Sequence, residues 1–237
     1  MSDVAVASAR VRAEWRARIA AEYTSAAITQ HLVLWLIQAG APPDLIDEGL
    51  AIVADELAHS RLSHEVYVAA GGTEPPALDR DHLTLQRMHA RLEDDILRIA
   101  VRTFCLGETV AVPLFRHLRE PCTHPVAKSA LDRILRDEVR HRDFGWDLLD
   151  WLLCIDDSVG SRVASHLPAM FADLERSYGT GNDAVTADDG VMTAEDRAWG
   201  LAPPREYAEI LARTFHRDFL PRFAARDIGI DRSGRER

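Results

Sequence analysis

The sequence predicts an all-α protein: a bundle of four long helices with a long connection between the second and third, followed by additional C-terminal helices. Three observations lead there. Apolar residues recur at helical spacing through long segments, and no stretch alternates with the period of a strand. Gly and Pro clusters at Gly40 to Pro43, Gly71-Gly72 and Glu120 to Pro125 cut the chain at wide intervals. An Asp-Glu-x-x-His element occurs twice, at Asp55 to His59 and Asp137 to His141.

The first helix is expected from about Ser8 to Ala39, with an apolar stripe of Ile19, Tyr23, Ala26, Ala27, Val33, Leu34 and Ile37; Gly40 and Pro42-Pro43 end it. The second runs from Asp44 to about Ala70. The third and fourth meet at the turn Glu120 to Pro125, and the fourth ends near Cys154. Pro113 should kink the third helix, because proline lacks an N–H and crowds the preceding turn. A third helix starting at Asp79 would place Glu108 about 29 residues inside it, whereas Glu56 lies 15 residues from the end of the second. That mismatch of about 14 residues is roughly 21 Å of helix. A crossover from Gly71 to about Glu93, with a short helix near Asp81 to Ala90, removes it. Two further helices are expected at Ser161 to Tyr178 and Arg205 to Phe223. The Gly-, Asp- and Thr-rich stretch Gly179 to Pro204 reads as a mobile loop or lid, and the tail from Asp227 as frayed. The whole is one domain over 1–237: a core bundle at about 8–154, a helical extension at about 155–226 and a polar tail at 227–237.

Residues three apart share a helix face, so Glu56 projects with His59 and Glu138 with His141. Each pair has a lone upstream glutamate: Glu22 stands 34 residues before Glu56, and Glu108 stands 30 before Glu138. Four carboxylates balance two divalent cations, and without a cation clustered carboxylates resist ionising together. Carboxylates are hard, mobile ligands, and imidazole suits iron and manganese as well as zinc.

The order Glu, Glu-x-x-His, Glu, Glu-x-x-His resembles the ferritin-like di-iron carboxylate superfamily. The resemblance implies a ferritin-like four-helix bundle and two Fe ions, with Mn or mixed Mn/Fe on the same ligands. It makes Glu22, Glu56, His59, Glu108, Glu138 and His141 the metal and catalytic residues, with Glu56 and Glu138 bridging and Glu22 and Glu108 terminal. The Asp-Glu-x-x-His form, and the Asp-Glu-x-Arg-His form at Arg140, are similar to the oxygen-activating branch. There Asp55 would orient His141 and Asp137 would orient His59. Residues one turn from the ligands, Ser25, Ala26, Ile52, Phe104, Cys105 and Val112, would border a substrate. Some subgroups are disfavoured. Ser63 stands where ribonucleotide reductase small subunits carry a radical tyrosine. Thr103 to Gly107 holds no tyrosine for a valine–tyrosine crosslink. Ile134 stands where arylamine N-oxygenases have an additional histidine.

The expected function is therefore that of a di-iron oxidase or oxygenase. It would use O2 as co-substrate to oxidise a small organic molecule by hydroxylation, N-oxygenation, desaturation or bond cleavage. An external electron donor is implied, since no flavin or iron–sulfur motif is present. The alternative is a ferritin-like ferroxidase; a monomer or homodimer favours the oxygenase and a large shell favours storage. A formal charge of -10 argues against nucleic-acid or anionic-membrane partners. The scattered Cys105, Cys122 and Cys154, with no Cys-x-x-Cys, fit a reduced cytoplasmic chain without a rubredoxin-type iron site.

Overall fold

The computed structural model describes residues 6–74, 76–177 and 192–230, and all regular structure among them is helical. Helix α1 spans Ala9–Gln38; Ser8 caps it by accepting from Val11 N at 3.2 Å, and Gly40, at φ 71°, ends it. Helix α2 spans Pro43–Ala69, opened by proline and Asp44 in its first turn and closed by Gly71 at φ 87°. After the connection come α3 (Leu92–Ile99), a π-helical stretch (Ala100–Glu108) and α4 (Thr109–Arg119). Helix α5 covers Pro125–Ile155 and α6 covers Val159–Glu175. The last described elements are α7 (Ala194–Ala198), α8 (Pro204–Thr214), a second π-helical stretch (Phe215–Phe219) and α9 (Leu220–Ala224).

The chain divides into two compact units. The first comprises Met1–Met88, Phe115–Arg140 and Met192–Ala202; the second comprises His89–Leu114, His141–Val191 and Pro203–Arg237. In the first, α1 and α2 pack side by side over Val11, Trp15, Ile19, Leu32, Leu36, Ile52 and Val66, all buried. Ser60 Oγ donates to the Ile19 carbonyl at 3.0 Å and Ser25 Oγ to Glu56 at 2.8 Å. The partner's number falls on α2 as it rises on α1, so the pair is antiparallel. In the second, the π-helical stretch lies against α5 at Gly145. A Cβ there would come within 2.5 Å of Phe104 Cβ and 2.7 Å of the Phe104 carbonyl carbon. Only glycine admits that approach. Phe104 packs edge-on against Phe144 with ring centroids 5.0 Å apart, and Trp146 donates to Thr109 Oγ1 at 3.0 Å.

Several expectations need correction. Tyr23, Leu34 and Ile37 do not belong to the buried stripe: they are exposed, while Leu32, Val33, Trp35 and Leu36 are buried. Leu32 to Ile37 is a continuous apolar run, and at about 100° per residue its members point to different sides of the helix. The expected helix at Asp81 to Ala90 is a 3-10 turn, Arg80–Leu83, and Leu85 N donates to His31 Nδ1 at 2.8 Å beyond it. The third helix is interrupted by the π-helical stretch, and the last by Phe215–Phe219. The expected loop Gly179 to Pro204 lies partly outside the described residues. Its described part is ordered: Thr193 and Asp196 form a reciprocal capping box at the start of α7. Trp15 Nε1 donates to the Trp199 carbonyl at 3.0 Å, the N–H groups of Thr123 and His124 donate to the Ala198 carbonyl, and His124 stacks on Trp199 at 3.5 Å.

Candidate metal centre

The ligand-bearing stretches are helical for ordinary reasons, and the 3.6-residue turn aligns their chemistry. Glu22 on α1, with Glu56 and His59 on α2, forms a buried group whose ligand atoms all lie within 4.8 Å of one another. Glu108, Glu138 and His141 form a second group within the same span, Glu108 half-buried and Glu138 and His141 buried on successive turns of α5. Glu138 approaches the first group as well: its Oε1 lies 3.9 Å from His59 Nδ1.

His59 is fully buried, and its two nitrogens meet different surroundings. Nε2 lies 3.2 Å from Asp137 Oδ2. Nδ1 faces Glu56 at 3.5 Å, Glu22 at 3.8 Å and Glu138 at 3.9 Å. Asp137 is held below the usual carboxylate range. Burial acts against its ionisation, but hydrogen bonds from Arg133 and from His59 outweigh it. An ionised Asp137 can only accept, so His59 donates through Nε2–H and presents the Nδ1 lone pair to three carboxylates. Asp55, the counterpart of Asp137, binds Arg140 and, at 3.3 Å, Arg133 Nη2. Arg136 adds a contact to Asp137 at 3.3 Å. Buried aspartates are thus tied to arginines that reach solvent.

Glu22 is pushed well above the ordinary glutamate value, first by burial and then by the neighbouring Glu56 carboxylate; His59 and Arg18 oppose the shift. Burial and a neighbouring carboxylate both disfavour the charged form of a glutamate. The donors are hard oxygens and imidazole nitrogens, a set that takes a divalent cation. Glu/His groups that can hold a metal ion are therefore present; the side chains do not select which ion.

Of the positions expected to border a substrate, Ser25 donates to Glu56 at 2.8 Å. Ala26, Ile52 and Val112 are buried apolar residues. Phe104 and Cys105 are fully buried, and Cys105 Sγ lies 3.1 Å from the Gly145 carbonyl. Burial pushes the Cys105 thiol far up, so it stays protonated. Sequence reasoning missed Arg133 and Arg136. Arg133 carried a signal, since it precedes Asp137 by one helical turn; Arg136 carried none. Arg18, also missed, precedes Glu22 by one turn.

Compared with protein-family models, curated proteins and solved structures, the chain gives no match. No helix among the described residues is long and apolar enough to cross a membrane.

Proposed function

We propose that this chain is a di-metal carboxylate protein of the ferritin-like kind, and specifically a non-haem di-iron oxidase or oxygenase acting on a small organic substrate. One observation carries the metal reading: His59 is fixed by Asp137 so that its Nδ1 lone pair faces Glu22, Glu56 and Glu138. A nitrogen lone pair and three buried carboxylates facing one point make a donor set that suits a divalent cation. Iron in the centre would supply the redox equivalents and Lewis acidity for O2 chemistry. The chain's own residues do the rest. Glu22, Glu56, Glu108 and Glu138 balance charge, and His59 and His141 contribute neutral nitrogen donors. Asp137 keeps His59 in the tautomer that exposes Nδ1. Arg133 keeps Asp137 ionised, Arg140 pairs with Asp55, and the buried surroundings keep bulk water away. The oxygenase branch is favoured by the Asp-Glu-x-x-His form of both motifs. The electrons come from an external donor.

The test is anaerobic loading with Fe(II), metal analysis, then rapid mixing with O2. Two irons per chain are expected, with O2 consumed and a transient visible absorption whose decay quickens with an oxidisable substrate. A monomer or dimer in solution is expected. A shell of many subunits that mineralises iron would move the reading to iron storage, and a chain that binds no paired metal would end it.

A further inference from the structure

A serine inside a helix commonly turns its hydroxyl back to a carbonyl of the preceding turn. Ser25, in the middle of α1, sends its Oγ across to α2 and donates to Glu56 Oε1 at 2.8 Å. A hydroxyl carries one hydrogen, so this bond commits it to that oxygen. The other oxygen, Glu56 Oε2, lies 3.5 Å from His59 Nδ1. The two oxygens of one carboxylate thus have different neighbours. Oε1 is turned to α1, and Oε2 is turned to the lone pair that Asp137 fixes on His59. One turn further along α2, Ser60 donates to the Ile19 carbonyl at 3.0 Å and holds the two helices in the register that the Ser25 bond needs.

Glu138 is placed differently. Its Oε1 lies 3.9 Å from His59 Nδ1, beside the first group, and it also belongs with Glu108 and His141 to the second. Among the described residues Glu56 belongs to the first group alone. The two halves of the chain differ in sequence at the same point. The residue three after Glu22 is Ser25, whereas the residue three after Glu108 is Ala111, which is buried and has no hydroxyl.

We propose that Ser25 is a positioning residue: by holding Glu56 Oε1 it leaves Oε2 to the metal, so that Glu56 serves the first metal position through one oxygen and Glu138 is the carboxylate that the two positions share. This departs from the paired bridging of Glu56 and Glu138 that the resemblance implies. It also makes the two metal positions chemically unequal. A carboxylate can bind through one oxygen or both, and for Glu56 to use both, Oε1 must leave the Ser25 hydroxyl. The proposal rests on the di-metal reading above, because it assigns how one ligand of that centre binds.

Co(II) is the probe, because its visible absorption per ion weakens as its coordination number rises. The full chain is loaded anaerobically with Co(II) and desalted, and its cobalt content and visible spectrum are recorded. Wild type and Ser25→Ala should both hold two cobalt ions per chain. Ser25→Ala should absorb less per ion, because the released Oε1 joins a metal. Ser25→Thr keeps a hydroxyl and should retain the wild-type spectrum. Glu56→Ala should keep one cobalt, held by Glu108, Glu138 and His141. A hydrogen bond that only supports the fold would leave the Ser25→Ala spectrum as in wild type, and that result overturns the assignment. So does a weakened spectrum in Ser25→Thr, loss of a cobalt from Ser25→Ala, or Glu56→Ala that holds two ions or none. If Ser25→Ala loses its helical circular dichroism, the cobalt content of Glu56→Ala decides. Two cobalt ions in wild type together with any of these contrary results end the role of Ser25 and leave the metal centre standing. Wild type that binds no paired cobalt ends both.

Discussion

At the scale of single residues, the two nitrogens of His59 meet opposite demands. Asp137 accepts the hydrogen bond from Nε2–H, and three glutamates face Nδ1. Asp137→Asn keeps the shape but offers an amide that can turn either its oxygen or its NH2 to His59, so the tautomer is no longer enforced. Loss of such an outer partner typically costs about 10–100-fold in metal affinity. Competition titration with a chromogenic chelator checks this: Asp137→Asn should fall in that range with its circular dichroism unchanged. An unaltered affinity would mean that the Asp137 contact orders the fold and not the metal. Charge neutralisation by arginine belongs to the same scale. Arg140 and Arg133 hold Asp55 and Asp137 from the solvent side, which explains how buried aspartates tolerate their charge.

At the scale of elements, Gly145 decides how closely α5 meets the π-helical stretch that ends at Glu108. A methyl group there would meet both backbone and Cβ atoms of Phe104, none of which belongs to the flexible end of a side chain. Gly145→Ala should therefore destabilise the protein by about 1–3 kcal/mol, the usual cost of overpacking a tight core. It should also loosen Glu108 relative to His141. Urea unfolding measures the first effect and metal stoichiometry the second. A midpoint equal to wild type would show that the π-helical stretch gives way freely. The capping box of α7 makes a second test. Thr193 accepts from Asp196 N at 3.0 Å, so Thr193→Ala should cost about 1 kcal/mol. If Met192–Ala202 were a loose lid, the same substitution would leave the unfolding midpoint where it is.

At the scale of the whole molecule, acid sensitivity has an identifiable contributor. Asp156 is pulled down to about 2 by hydrogen bonds from the Ser158 hydroxyl and backbone N–H and from Arg91; Arg162 adds its charge. Its folded value lies below its unfolded one. Its contribution to stability is thus complete above pH 3.8 and fades as pH falls towards about 2. The urea midpoint of wild type should drop across that window more steeply than that of Asp156→Asn; parallel curves would remove Asp156 from the acid response. What the sequence made legible follows the same physics. The boundaries of α1, α2 and α5 were readable from Ser8, Gly40, Pro43, Gly71 and Pro125, because caps and helix breakers act locally. The pairing of Glu56 with His59 and of Glu138 with His141 was readable from a helical period. The π-helical stretches were not, since the residues of Ala100 to Glu108 carry no pattern that separates a π turn from an α turn. The ordered Met192–Ala202 segment was hidden because its composition is that of a loop, while its order comes from distant partners such as Trp15 and His124.

Metal content of purified protein, after loading and desalting, tests the di-metal centre most directly. Wild type should hold two metal ions per chain. Glu138→Ala should hold fewer while keeping its helical circular dichroism, because deleting one carboxylate relieves repulsion in the metal-free cluster. Glu65→Ala, at an exposed position on α2, should match wild type. Two tightly bound metals retained in Glu138→Ala, or none bound by wild type, would contradict the assignment.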